Sequence, residues 1–230
     1  MPAAGIAVSA TAPAIPPLPA DGSLITLVTK QRALAADYVP PDLVPVPQNF
    51  VSSQEHQYLR APAEEAMVRM LGAALREGLG IKVLSGYRSY QYQAAVFKGE
   101  VATYGCTQAL RESALPGHSE HQLGLAADLT SADVGWGLDA SFAETSEGRW
   151  LASHAASYGF VMSYPPGKEQ ITGYIAEPWH YRYVTPPFAE AIQASGETST
   201  EFLGRLGAAT ITSIVSTPEL TPQPGTCPHG

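Results

Sequence analysis

The chain has 230 residues and a formal net charge of −8, with 45% hydrophobic and 15% charged residues. That length and balance suit one substantial core, and the acidic surplus argues against nucleic acid or an anionic membrane surface as partner, since both call for a basic face. No apolar run reaches the length of a membrane span, and no basic segment followed by a hydrophobic stretch marks an export signal at the N-terminus.

Residues 1–23, rich in Ala and Pro, read as a flexible tether of the kind that follows a signal or anchor. LITLVTK at 24–30 has the β-branched content of a strand, and the Pro-rich stretch after it is expected to wrap the body as an extended segment. From Ala63 to Gly78 the spacing predicts a helix with Met67, Met70, Leu71, Ala74 and Leu75 on one face. A strand at 81–84 then leads through Gly86 into a second helix over 89–104, with Tyr90, Ala94 and Phe97 inward and Arg88 at the junction. Further strands are expected at 126–129, 160–164 and 179–184, with helices over 147–159 and 187–195 and a short one near 201–206.

Strands and helices mix without strict βαβ alternation, so the class is α+β: a small, mainly antiparallel central sheet flanked by helices. One folded domain is expected over 24–206, followed by a Pro- and Thr-rich tail over 207–230. The two cysteines, Cys106 and Cys227, are too far apart for a CxxC pair. One disulfide pinning the tail to the body, which implies an oxidising compartment, is the expectation; two free thiols are the alternative.

The chemistry is concentrated in two cassettes, SEHQLGLAAD at 119–128 and EPWH at 177–180. His121, Asp128 and His180 are three ligands of the type that leaves a fourth tetrahedral position open on zinc, and Glu177 stands near the last of them as a base. His121 and Asp128 lie seven apart, about 10 Å along a helix axis and on opposite faces of a strand, so neither element lets them share an ion. The chain must bend between them, and Gly124 permits it. Pro178 pushes Glu177 toward extended geometry, and Trp179 offers a buried platform beside His180. Alone, a His and an Asp in a loop are more often solvated polar residues; the second cassette changes that balance.

The pattern SxHxxGxAxD followed by ExWH resembles the LAS-type zinc peptidases, which include the D-Ala-D-Ala carboxypeptidases. SGYRSYQYQ, GHSEHQLGLAADL and TGYIAEPWHYRYV extend the likeness to the VanY-type branch over roughly 24–184. The resemblance implies Zn2+ on His121, Asp128 and His180 in a cleft on the sheet, with Glu177 as general base. It implies that Arg88 stabilises the oxyanion or holds the substrate carboxylate, and that Ser119 binds that carboxylate. Gln93 and Tyr181 are further candidates for the pocket wall, although a helix Gln and a strand Tyr are more often scaffold. His118 reads as a side chain at the rim of the site, His154 as a packed, hydrogen-bonded histidine and Lys168 as a solvated turn residue. Ser163 departs from the basic residue that relatives often carry there.

The implied function is a secreted or wall-associated, monomeric D,D-carboxypeptidase that removes the terminal D-Ala of peptidoglycan stem peptides. An L,D-carboxypeptidase on tetrapeptide stems is the nearest alternative, and a dipeptidase or endopeptidase a more distant one. A non-catalytic, zinc-stabilised wall-binding module is the alternative from another class.

Overall fold

Prolines between Pro40 and Pro47 rule out a long strand early in the chain, which makes only the three-residue β1 (Leu43–Pro45), paired antiparallel with β2 (Tyr58–Arg60). The computed structural model describes residues 22–206. The tail, nearly all of the N-terminal tether and Cys227 of the expected disulfide lie outside the described residues.

The strand expected at 24–30 does not form. A 3-10 turn over Gly22–Ile25 leads to a tight bend in which Thr29 and Arg32 exchange two backbone hydrogen bonds of 3.1 Å. A strand needs an edge to pair with, and this segment has another way to satisfy its carbonyls: Arg182 donates from Nη2 to Thr26 O at 2.8 Å and Leu24 O at 3.4 Å. Leu24, Ile25 and Val28 are buried all the same.

Helix α1 (Ala61–Arg76) takes Pro62 in its first turn, where the missing N–H costs nothing, and Gly78 at φ 83° follows its end. Met67, Met70, Leu71 and Ala74 are buried as expected. Leu75 is 58% exposed instead, because it falls about 120° around the helix from Ala63 and clears the core.

β3 (Lys82–Ser85) leads to α2 (Tyr90–Tyr104), which Ser89 caps by accepting from Tyr92 N. Phe97 and Gln93 are its buried residues, whereas Tyr90 and Ala94 are half-buried. α3 (Cys106–Glu112) and, farther on, α5 (Glu169–Thr172) are too short to carry a periodic signal and were not foreseen. The remaining elements are β4 (Ala126–Thr130), α4 (Ser146–His154), β5 (Phe160–Met162), β6 (His180–Tyr183), α6 (Pro186–Ser195) and α7 (Ser199–Arg205).

The main sheet has four antiparallel strands in the order β3-β4-β6-β5, as the α+β reading requires. Strand alternation divides its faces. Val83, Ala127, Leu129, Tyr181 and Tyr183 share the large core with Met67, Met70 and Leu71 of α1, while Asp128, His180 and Arg182 point the other way. A second cluster packs Val161 and Val184 against Phe188 and Ile192 of α6 and Phe202 of α7.

A 3-10 turn over Glu120–Leu123 precedes β4 and ends at Gly124 in the left-handed region, φ 67°. A Cβ there would approach Leu43 Cδ2 to 2.8 Å and Arg60 Cγ to 3.0 Å, so both the backbone and the packing require glycine. Gly124→Ala is expected to lower the free energy of urea unfolding by about 1–3 kcal/mol.

Candidate functional site

The β4–β6 register pairs Asp128 directly with His180 and, on the other side, Asp128 with Ser85 of β3. Residues opposite each other in a ladder present their side chains to the same face, so the two cassettes meet although they are far apart in sequence. The 3-10 turn brings in His121, its backbone N–H donating to Ser119 Oγ at 3.3 Å. One ligand atom from each of His121, Asp128 and His180 lies within 4.8 Å of the other two, and all three residues are buried.

Each imidazole is aimed by the nitrogen that faces away from this point. His121 Nδ1 donates to Gly86 O at 2.7 Å, which leaves Nε2 to accept from Arg88 Nη2 at 2.8 Å, with Asp128 Oδ2 3.2 Å away. His180 bonds Glu120 Oε2 through Nε2 and Asp128 Oδ1 through Nδ1, both at 3.0 Å. The rings cross edge to face at 84°, with centroids 5.0 Å apart. Two imidazole nitrogens and one carboxylate oxygen that converge in a buried cleft are a donor set suited to a borderline divalent cation such as zinc.

Arg88, on the loop after β3, donates from Nη2 to Asp128 Oδ2 at 2.5 Å and from Nε to Ser85 Oγ at 2.9 Å. Gln93 accepts from Arg88 Nη1 at 3.4 Å and donates to Ala114 O at 2.8 Å, so it braces the guanidinium against the α3 side of the cleft. Glu177 Oε2 stands 3.8 Å from His180 Nδ1, nearer to that ligand than a bystander but beyond hydrogen-bond range.

The electrostatics follow from burial and neighbours. Burial, with Arg88 adding to it, holds His121 down to about 4, so its ring is neutral. Burial works against the charge of Asp128, yet His121 and Arg88 keep its carboxyl well below the usual range. Burial also works against a charged His180, but its bonds to Asp128 and Glu120 raise it to about 10. Of these two anions, Asp128 is the one that would also hold a cation in the cleft. Burial pushes Glu177 up to about 8, with Asp128 and Glu120 adding to the rise.

The cleft is lined by Arg88, Gln93, Ser119, Glu177 and the three ligand candidates, as the sequence suggests. Tyr181 is a correction: it neighbours His180 on β6 and so points to the opposite face, into the core, with 1% of its surface exposed. His118 is also buried, not at the rim, and donates from Nδ1 to Thr29 O at 2.8 Å. His154 stacks on Trp150 with centroids 4.6 Å apart, and Lys168 pairs with Glu201 at 3.5 Å.

Sequence reasoning passed over Tyr164 and Tyr174, which line the cleft with rings 4.8 Å apart, Tyr164 also lying 4.8 Å from His180. It passed over Glu120 and Arg182 as well, joined by an ion pair of 3.0 Å. A signal existed for Arg182: two residues after His180 in a strand, it must share that residue's face.

The family profile described as VanY, D-alanyl-D-alanine carboxypeptidase, matches residues 56–186. A putative carboxypeptidase, YodJ, of Bacillus subtilis is 40% identical over 80% of this chain and 68% of its own length. The solved structure of the LdcB LD-carboxypeptidase, described as revealing peptidoglycan recognition, superposes with a TM-score of 0.74 at 40% identity, over 80% of this chain and 88% of that one. A vancomycin-resistance D,D-pentapeptidase, VanY, solved in complex with Zn(II), gives a TM-score of 0.66 at 30% identity over 79% and 99%.

Glu177 makes the stability of the metal-stripped protein depend on pH. Its carboxyl binds a proton more tightly folded, at about 8, than at its ordinary 4.5. Its contribution to stability is therefore present at low pH and lost as pH rises through that window. Glu177→Gln, which stays neutral, is expected to flatten the decline in urea-unfolding free energy between about pH 5 and about pH 8.

Proposed function

Because the chain belongs to the VanY family of D-alanyl-D-alanine carboxypeptidases and is a metallopeptidase, we propose that it is a zinc-dependent D,D-carboxypeptidase acting on peptidoglycan stem peptides. The observation that carries this reading is the buried convergence of His121, Asp128 and His180 with Glu177 beside them and off the ligand set. His121 through Nε2, Asp128 through its carboxylate and His180 through Nδ1 would hold the metal. A zinc ion held there supplies Lewis acidity, which polarises the scissile carbonyl and acidifies the attacking water.

Glu177 takes the proton of that water at its carboxylate as the oxygen attacks the carbonyl carbon. The carboxyl then delivers the proton to the amide nitrogen as the C–N bond breaks, releasing free D-alanine and the shortened peptide. Burial favours the first half of this cycle, since it makes Glu177 a more basic carboxylate than an exposed one. Arg88, held by Ser85 and Gln93, presents its guanidinium to the developing oxyanion or to the terminal carboxylate. Ser119, a buried residue that lines the cleft, binds that carboxylate as well in this reading.

The greater likeness to the LdcB LD-carboxypeptidase than to the VanY D,D-pentapeptidase favours a second reading, removal of D-alanine from tetrapeptide stems. Either substrate belongs to the cell wall, so the protein acts outside the cytoplasmic membrane. Among the described residues no helix is long and apolar enough to cross a membrane.

Mass spectrometry of digests of penta- and tetrapeptide stems tests both readings. Loss of one alanine from the pentapeptide is the expected result; loss from the tetrapeptide alone identifies the L,D enzyme, and no loss from either rejects both. Glu177→Gln is expected to keep one zinc per chain while kcat falls about 10²–10⁴-fold. Arg88→Ala is expected to lower kcat by about 10²–10³-fold, and His121→Ala to bring zinc, measured by elemental analysis, well below one per chain.

A further inference from the structure

We infer that Glu120 is a positioning residue for the metal centre, fixing through a buried relay which nitrogen of His180 faces the metal; this rests on the reading of His121, Asp128 and His180 as a metal site. The carboxylate is 4% exposed and uses both oxygens. Oε2 accepts from His180 Nε2 at 3.0 Å and from Ser163 Oγ at 2.6 Å, while Oε1 accepts from Arg182 Nη1 at 3.0 Å. Arg182 is fully buried and donates onward to Thr26 O and Leu24 O. The N-terminal segment, Arg182, Glu120 and His180 thus form one continuous line of charged hydrogen bonds.

A neutral imidazole carries one N–H. With that proton on Nε2 and donated to Glu120, the lone pair lies on Nδ1, the nitrogen that faces Asp128. The ring cannot turn over without breaking the bond to Glu120 and disturbing its contact with Tyr164. His121 is held differently, by the neutral carbonyl of Gly86. Only His180 bonds a full anion behind it, and an anion there makes the ligand more basic as well as fixing its direction.

Ser163 also finds a purpose here. Its hydroxyl donates to the same Oε2 at 2.6 Å and so helps hold the carboxylate against His180. Arg182 balances the buried carboxylate, so neither ion is stranded.

The test compares zinc affinity, by chelator competition, and the absorption of the Co2+-substituted protein. Glu120→Gln keeps the shape and removes the charge; Glu120→Gln with Arg182→Gln also removes the cation that the single variant leaves unpaired. In whichever variant folds by circular dichroism, affinity is expected to fall about 10–100-fold and the cobalt bands to shift. Restoring a carboxylate with Glu120→Asp should recover part of the loss. Affinity and cobalt spectrum unchanged in a folded variant would overturn the inference and leave the metal site standing; a parent protein that binds neither metal overturns both.

A measurement on the zinc-loaded parent needs no variant. Its His180 Nε2–H should appear in nitrogen-edited NMR as a downfield, slowly exchanging proton. A proton on Nδ1, or an Nε2–H exchanging as fast as a free imidazole, counts against Glu120.

Discussion

The pairing of Asp128 with His180 across the β4–β6 ladder is the constraint on which the rest of the cleft depends. It places a carboxylate in a strand whose residues are all buried. An unpaired charge there would cost several kcal/mol. The surrounding architecture answers that cost: Arg88 arrives from the end of β3, His121 from the turn before Gly124, and His180 from the opposing strand. Each compensating group is itself a candidate for binding or catalysis. The same electrostatic demand that keeps the fold in register therefore assembles the site.

The two imidazoles divide the work of support between neutral and charged partners. The Gly86 carbonyl turns His121, and the Glu120 carboxylate turns His180. Because Glu120 is tied through Arg182 to the carbonyls of Leu24 and Thr26, the segment that fails to become a strand still bears on the site. Arg182 does for that segment what a neighbouring strand would otherwise do. It also places the aim of a ligand under the control of packing far from the cleft, which favours a rigid centre over an adaptable one.

The groups proposed to carry the reaction and the rest of the cleft lining come from different parts of the fold. The ligand candidates, Glu177 and Arg88 lie on or beside the sheet, whereas Val96, Glu100 and Glu112 of α2 and α3 and Leu138 form the outer wall. Chemistry of this kind tolerates variation in the wall, where one side-chain group shifts discrimination by only about 1–3 kcal/mol.

Much of the fold was legible in local pattern. The periodicity of α1, the extent of α2, the short strands β3 to β6 and the glycine that lets the chain turn before β4 are set by neighbours in sequence. The metal ligand candidates and Glu177 were legible because their cassettes are short and chemically unusual. Residues whose meaning depends on distant partners were not. The 24–30 segment has strand composition, but Arg182 takes up the carbonyls of Leu24 and Thr26 instead of a neighbouring strand. Tyr181 has the polarity of a pocket residue but the wrong parity on β6, and Glu120 gains its role only when His180 and Arg182 come to it from about sixty residues away. Sequence by itself determined the kinds of groups and the local turns that present them. Only the tertiary structure decided which nitrogen, oxygen and face each group turns to its neighbours, because those choices are made by hydrogen bonds and burial between segments that meet only in the folded chain.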